Sequence, residues 1–188
     1  MRGTILFVLC LGIQIAGDAT AATIFTRETA DGSSNDVGQG VRLAIDADGT
    51  PSLVYLDYST GYTNYATKRG GVWTIELIDS GSAFSTIYNG IAVDAKGEPH
   101  VSHMVSNGDF LQYARKSSGS WQLEVIADPL WGVGFSNSLA LFPDGSPCVS
   151  YGTNWRDFEG ETHTNLAFAW KPQGIWESEI VIAGMMTP

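Results

Sequence analysis

Large apolar residues alternate with alanine or polar residues in short runs along this chain, and the runs return at a fixed interval. Leu43, Ile91 and Leu139 recur with a period of about 48 residues, each followed by alanine, within residues 41–46, 90–94 and 138–142. Period-two alternation marks a strand, and the small alternate face leaves room for another sheet to pack closely. Gly49, Gly97 and Gly145 then precede Pro51, Pro99 and Pro147 by two residues, giving each unit a tight turn and a proline that opens a second strand. Second strands are predicted at 52–55, 100–103 and 148–151. Third strands, at 64–67, 112–115 and 167–170, each hold an aromatic residue followed by alanine: Tyr65, Tyr113 and Phe168. A short turn leads to Trp73, Trp121 and Trp176, which start a fourth strand continued by Ile75 and Leu77, Leu123 and Val125, or Ile180 and Ile182.

Four short antiparallel strands in a unit of about 48 residues are the pattern of a propeller blade. The expected fold is therefore all-β: a β-propeller of three four-stranded blades, at residues 41–79, 89–127 and 137–183. The register extends upstream, because Phe25 precedes Trp73, and Glu28 precedes Glu76, by that same interval. Residues 24–30 thus read as an orphan N-terminal strand of fourth-strand type. Three blades and one strand make a partial or open ring, since closed rings hold four to eight blades. The expectation is a part of a longer propeller, with exposed edges that pair with missing blades or with another chain.

Arg2, an apolar run over residues 5–16 and Ala19-Thr20-Ala21 form a secretory signal over residues 1–21. The mature chain, 22–188, has no later run long enough to cross a membrane as a helix, so a secreted or periplasmic protein is expected. Its only cysteine is then Cys148, in a strand position held by Ser52 and His100 in the other units, which reads as a small packed residue. The net charge of −10, with no cluster of Lys or Arg, opposes binding to nucleic acid.

The units, written L/I-A-x-D-x-x-G-x-P-x-V-S-Y, then Y-A, then G-x-W-x-x-E, resemble a tandem repeat of secreted bacterial β-propeller proteins, over residues 24–183. More loosely the chain is similar to sialidase-like, or BNR-type, propellers and to fucose-binding propeller lectins. The BNR hallmark S-x-D-x-G-x-x-W is not met, because Ser117-Ser118-Gly119-Ser120-Trp121 lacks the Asp and one residue of the spacing. The resemblance implies a propeller fold and little chemistry.

A sialidase-type site needs convergent arginines to hold a carboxylate, whereas Arg27, Arg42, Arg69, Arg115 and Arg156 occupy unrelated places in the repeat. Asp46-Ala47-Asp48-Gly49 reads as a hairpin turn, because neither later unit keeps both acids. His100, His103 and His163 lack helical ligand spacing, so no metal, cofactor or catalytic set is expected. Glu28, Glu76, Glu124 and Glu179 read as residues that keep outer strands soluble, and the tryptophans as packing anchors. One segment departs from the repeat: the step from Trp121 to Trp176 exceeds the period by seven, which places an insertion in residues 152–164. This loop combines Trp155, Arg156, Asp157, Phe158, Glu159 and His163, and blade topology puts Tyr88 and Trp131 on the same side. Aromatic faces stack on sugars or side chains while charged groups direct hydrogen bonds. The expected role is non-catalytic binding of a glycan or extracellular protein. The alternatives are a glycosidase or lyase with its site partly in other blades, and a structural spacer.

Overall fold

In a computed structural model, which describes residues 26–79, 85–105, 110–127, 133–156 and 159–182, each unit folds into one four-stranded antiparallel sheet. The first blade holds β1 (Val37–Ile45), β2 (Pro51–Asp57), β3 (Tyr62–Arg69) and β4 (Val72–Leu77). The second holds β5 (Ser85–Val93), β6 (Pro99–Val105), β7 (Phe110–Ser117) and β8 (Ser120–Ala127). The third holds β9 (Val133–Leu141), β10 (Pro147–Arg156), β11 (Thr162–Trp170) and β12 (Glu177–Ile182). Strands lie side by side in chain order, and the first strand of each blade packs on the first strand of the next, β1 on β5 and β5 on β9. This is the radial arrangement of a β-propeller. Among the described residues no helix is long and apolar enough to cross a membrane. The signal read at residues 1–21 lies outside the described residues.

The core is not inside any blade. A flat four-stranded sheet has no interior, so each blade buries its faces against its neighbours. One cluster joins Val54, Tyr65 and Ile78 of the first blade to Val101 and Ala114 of the second, with Ile91 and Trp121 against it. The other joins Leu111, Tyr113 and Ile126 of the second blade to Leu139, Val149 and Ala169 of the third, with Trp176 against it. Ala114 and Ala169 of the third strands are fully buried at these junctions, whereas the first-strand alanines expected to admit a close neighbour are less covered: Ala44 and Ala92 are half-buried and Ala140 is exposed.

Turns between first and second strands follow the repeat. Gly49, Gly97 and Gly145 have φ of 80°, 77° and 84°. Asp46 Oδ1 accepts the backbone N–H of Asp48 and of Thr50, and Asp94 Oδ1 those of Lys96 and Glu98. The carboxylates of these turns therefore serve the backbone.

Three expectations change in detail. The blades start four residues before the expected bounds of 41, 89 and 137, at Val37, Ser85 and Val133, because register shifts in the ladders of β1, β5 and β9 break the period there. Gly40 sits in one such bulge at φ 60°, and a Cβ there would lie 2.1 Å from the carbonyl oxygen of Ile87 in the next blade. The orphan strand begins outside the described residues, and its described part, 26–30, joins no ladder. It is held by a side chain instead: Glu28 bonds Lys68 at 2.6 Å, and just beyond the segment Asp31 accepts from the Tyr55 hydroxyl at 2.7 Å. The inserted segment is mostly strand, since residues 152–156 pair with 162–166 and lengthen the β10–β11 hairpin.

Candidate functional site

Each blade has a forward face, turned to the next unit, and a backward face, turned to the previous one. Strand alternation places Tyr65 and Glu76 on the forward face of the first blade, and Lys116 and Trp121 on the backward face of the second. There Lys116 Nζ lies 2.5 Å from Glu76 Oε1, and Trp121 meets Tyr65 edge-on with ring centroids 5.3 Å apart. At the next junction Lys171 Nζ lies 2.6 Å from Glu124 Oε1, and Trp176 meets Tyr113 edge-on, again at 5.3 Å. Glu28 and Lys68 form the same pair before the first blade. The partners are 40, 40 and 47 residues apart, the last widened by the seven-residue insertion. The ammonium of Lys68 holds the Glu28 carboxyl below its ordinary range. Glu28, Glu76 and Glu124, read from sequence as solubilising edge residues, are thus inter-blade ion-pair partners. Adjacent strands hide this because the lysine sits in the following repeat.

Closer to the axis, the amide of Asn89 donates to the carbonyl of Gly40 at 3.2 Å, and that of Asn137 to Tyr88 at 2.9 Å. Sequence reading missed this pair. Its signal was available, because Asn89 and Asn137 also stand one repeat period apart.

The lysine–glutamate pairs form the floor of two clefts in equivalent places. The first, of about 280 Å³, is bounded by Thr67, Thr74, Glu76 and Lys116, with the Gly97-Glu98-Pro99 turn as its lip. The second, of about 400 Å³, places Arg115, Gln122, Glu124 and Lys171 at the same repeat positions, with Gly145-Ser146-Pro147 as its lip. A further hollow of about 400 Å³ adjoins the second cleft across Arg115. Arg115 Nη2 donates to Glu98 Oε2 at 2.8 Å and lies 3.5 Å from Asp94 Oδ2.

Beneath the second cleft, the Tyr113 hydroxyl lies 2.5 Å from His100 Nδ1. Burial, and then the Arg115 charge, lower the His100 pKa, while burial raises that of Tyr113. Both shifts favour the uncharged forms, a neutral imidazole beside a protonated phenol, and His100 Nε2 lies 3.6 Å from Asp94 Oδ2. Burial pushes the Asp94 carboxyl up, but the backbone N–H groups of Glu98 and Lys96 and the nearby His100 outweigh it, so the net shift is downward. In the first blade the corresponding pair is Ser52 Oγ and Tyr65 Oη, 2.9 Å apart. In the third it is Cys148 and Phe168, which drop the polar pair together.

The described residues of the insertion, 152–156 and 159–164, lie at the opposite ends of the strands from these clefts. Asp157, Phe158 and Trp131 lie outside the described residues, and of Trp155 and Arg156 the backbone alone is described, opposite His163 and Thr162 in the β10–β11 ladder. Glu159 is exposed and His163 half-buried. Tyr88 lies within β5 and not in a loop, and meets Phe135 of the third blade edge-on at 5.6 Å. Three of the arginines have separate partners: Arg42 donates to Val41, Arg69 to Gly97, and Arg115 to the carboxylates above. Among the described residues no group of His, Cys, Asp and Glu is arranged to hold a metal ion.

No family model matches the chain, and no curated protein matches it. Among solved structures it is similar to a protein of unknown function from Dyadobacter fermentans, at 12% identity and a TM-score of 0.52. That likeness is one of fold, covers 75% of this chain, and spans about half, 53%, of the other. Weaker likenesses, each with a TM-score of 0.47, are to a fucose lectin from Kordia zhangzhouensis in complex with methyl-fucoside and to an α-L-arabinofuranosidase from Podospora anserina. Their identities are 11% and 14%; they cover 74% and 73% of this chain, and 96% and 48% of the others.

Proposed function

We propose that this chain is an exported, non-catalytic binding propeller that takes a hydroxyl-rich ligand, a glycan, in the clefts at its blade junctions. The observation that carries the reading is the recurrence of a polar cleft at the same repeat position in both junctions. Sugar hydroxyls donate to carboxylates and accept from ammonium and guanidinium groups, and each cleft presents both kinds of partner on one wall. Glu76, Glu98 and Glu124 are tied to lysine or arginine, Asp144 accepts from Ser146, and Tyr113 is held protonated. General acid–base catalysis needs groups poised to exchange protons near neutral pH, and ion-paired carboxylates with a high-pKa phenol suit recognition better.

The test is binding of the full chain to a panel of immobilised and soluble oligosaccharides, with chromogenic glycosides assayed in parallel. Thr74→Trp and Gln122→Trp each fill one cleft from an exposed strand position. Each should weaken glycan binding by about tenfold at its own cleft, while Trp155→Ala with His163→Ala leaves binding intact. Binding that survives both fillings, or turnover of a glycoside, would overturn the proposal; loss through the second pair alone would move the ligand to the β10–β11 hairpin.

A further inference from the structure

The forward face of the third blade differs from the other two in a way the repeat makes measurable. Ser52 is 4% exposed and His100 1%, because a following blade covers each. The corresponding Cys148 is only half-buried. Tyr65 and Tyr113 are buried under Trp121 and Trp176, whereas Phe168 is half-buried and stacks on its own neighbour Trp170, with centroids 5.6 Å apart. Glu76 and Glu124 each hold a lysine of the next blade, while Glu179 is exposed and forms no ion pair among the described residues. Ladder register puts Cys148, Trp170 and Glu177 in one row of this face and Ser150, Phe168 and Glu179 in the next. The face is thus an aromatic patch bordered by two carboxylates.

We infer that this face docks a further unit of the same repeat, one whose third strand ends in a lysine and whose fourth strand opens with a tryptophan. The lysine meets Glu179 and the indole covers Phe168, as Lys116 meets Glu76 and Trp121 covers Tyr65. Charge complementarity supports the assignment, and so does continuity with two junctions built by one rule. A second copy of this chain fits less well. Its own backward-facing lysine, Lys68, is already held by Glu28. Docking also builds a third cleft over Glu179, and it stands whatever the clefts bind.

Cys148 reports on the face directly. The probe is the full chain extended at its C-terminus by a copy of residues 85–127, which carries Lys116 and Trp121 and has no cysteine. The readout is the rate at which Cys148 is alkylated, followed by peptide mass mapping. The extension should slow alkylation by roughly tenfold or more. Glu179→Lys should restore the rate in the extended chain and leave the unextended chain unchanged. Lys116→Glu in the appended copy, combined with Glu179→Lys, should slow it again. An unchanged rate in the extended chain, or a silent Glu179→Lys there, would overturn the inference. Concentration-dependent protection of Cys148 in the unextended chain would also overturn it, by showing that a second copy covers the face.

Discussion

Single side chains decide how tightly the blades hold one another, and they contribute unequally. Trp121 supplies apolar area and an edge-on contact with Tyr65, so Trp121→Ala is expected to cost about 3 kcal/mol in urea unfolding. Lys116 and Glu76 are 21% and 35% exposed, so Glu76→Gln should cost less than about 1 kcal/mol, the ion pair being screened by water. His103 is fully buried, and burial lowers its pKa from 6.5 to about 4. As pH falls through that window the unfolded chain takes up the proton first, so stability present above 6.5 is lost on the way to 4. The loss should reach about 3 kcal/mol, and His103→Gln should flatten it in unfolding curves measured across that range. The tryptophans were legible as packing residues from spacing alone. The role of the glutamates was not, since a ladder partner and a partner in the next blade look alike in one sequence.

At the scale of strands and turns, the alternation located the twelve strands of the described residues but cut the first strand of each blade short. The missing residues lie in bulges, where the period of two fails and a glycine or a positive-φ serine such as Ser136 takes its place. Two glycines of similar φ separate the causes of glycine preference. Gly49 has open space around its missing Cβ, so Gly49→Ala should cost about 1 kcal/mol of backbone strain. Gly40→Ala brings a methyl against the Ile87 backbone as well, and should cost about 2 to 4 kcal/mol by the same thermal or urea measurement. The seven-residue insertion was legible as a departure from the period. Its conformation was not, because a longer hairpin and a longer loop have the same length.

Across the whole molecule, the period predicted three blades, and the structure adds the rule that joins them: a backward-facing lysine and tryptophan meet a forward-facing glutamate and aromatic ring. That rule explains why the core lies between units, and why Leu139 is 8% exposed in the third blade while Leu43, in the same repeat position, is 58% exposed in the first. The junction clefts were invisible in the sequence because their walls come from different repeats, brought together only by radial stacking. Their equivalence gives the central claim a countable consequence. Native mass spectrometry of the full chain, with the oligosaccharide it binds best, reads the number of ligands per chain. Two equivalents are expected, falling to one with Gln122→Trp or with Thr74→Trp. A single equivalent that neither substitution removes would contradict a ligand site at the blade junctions.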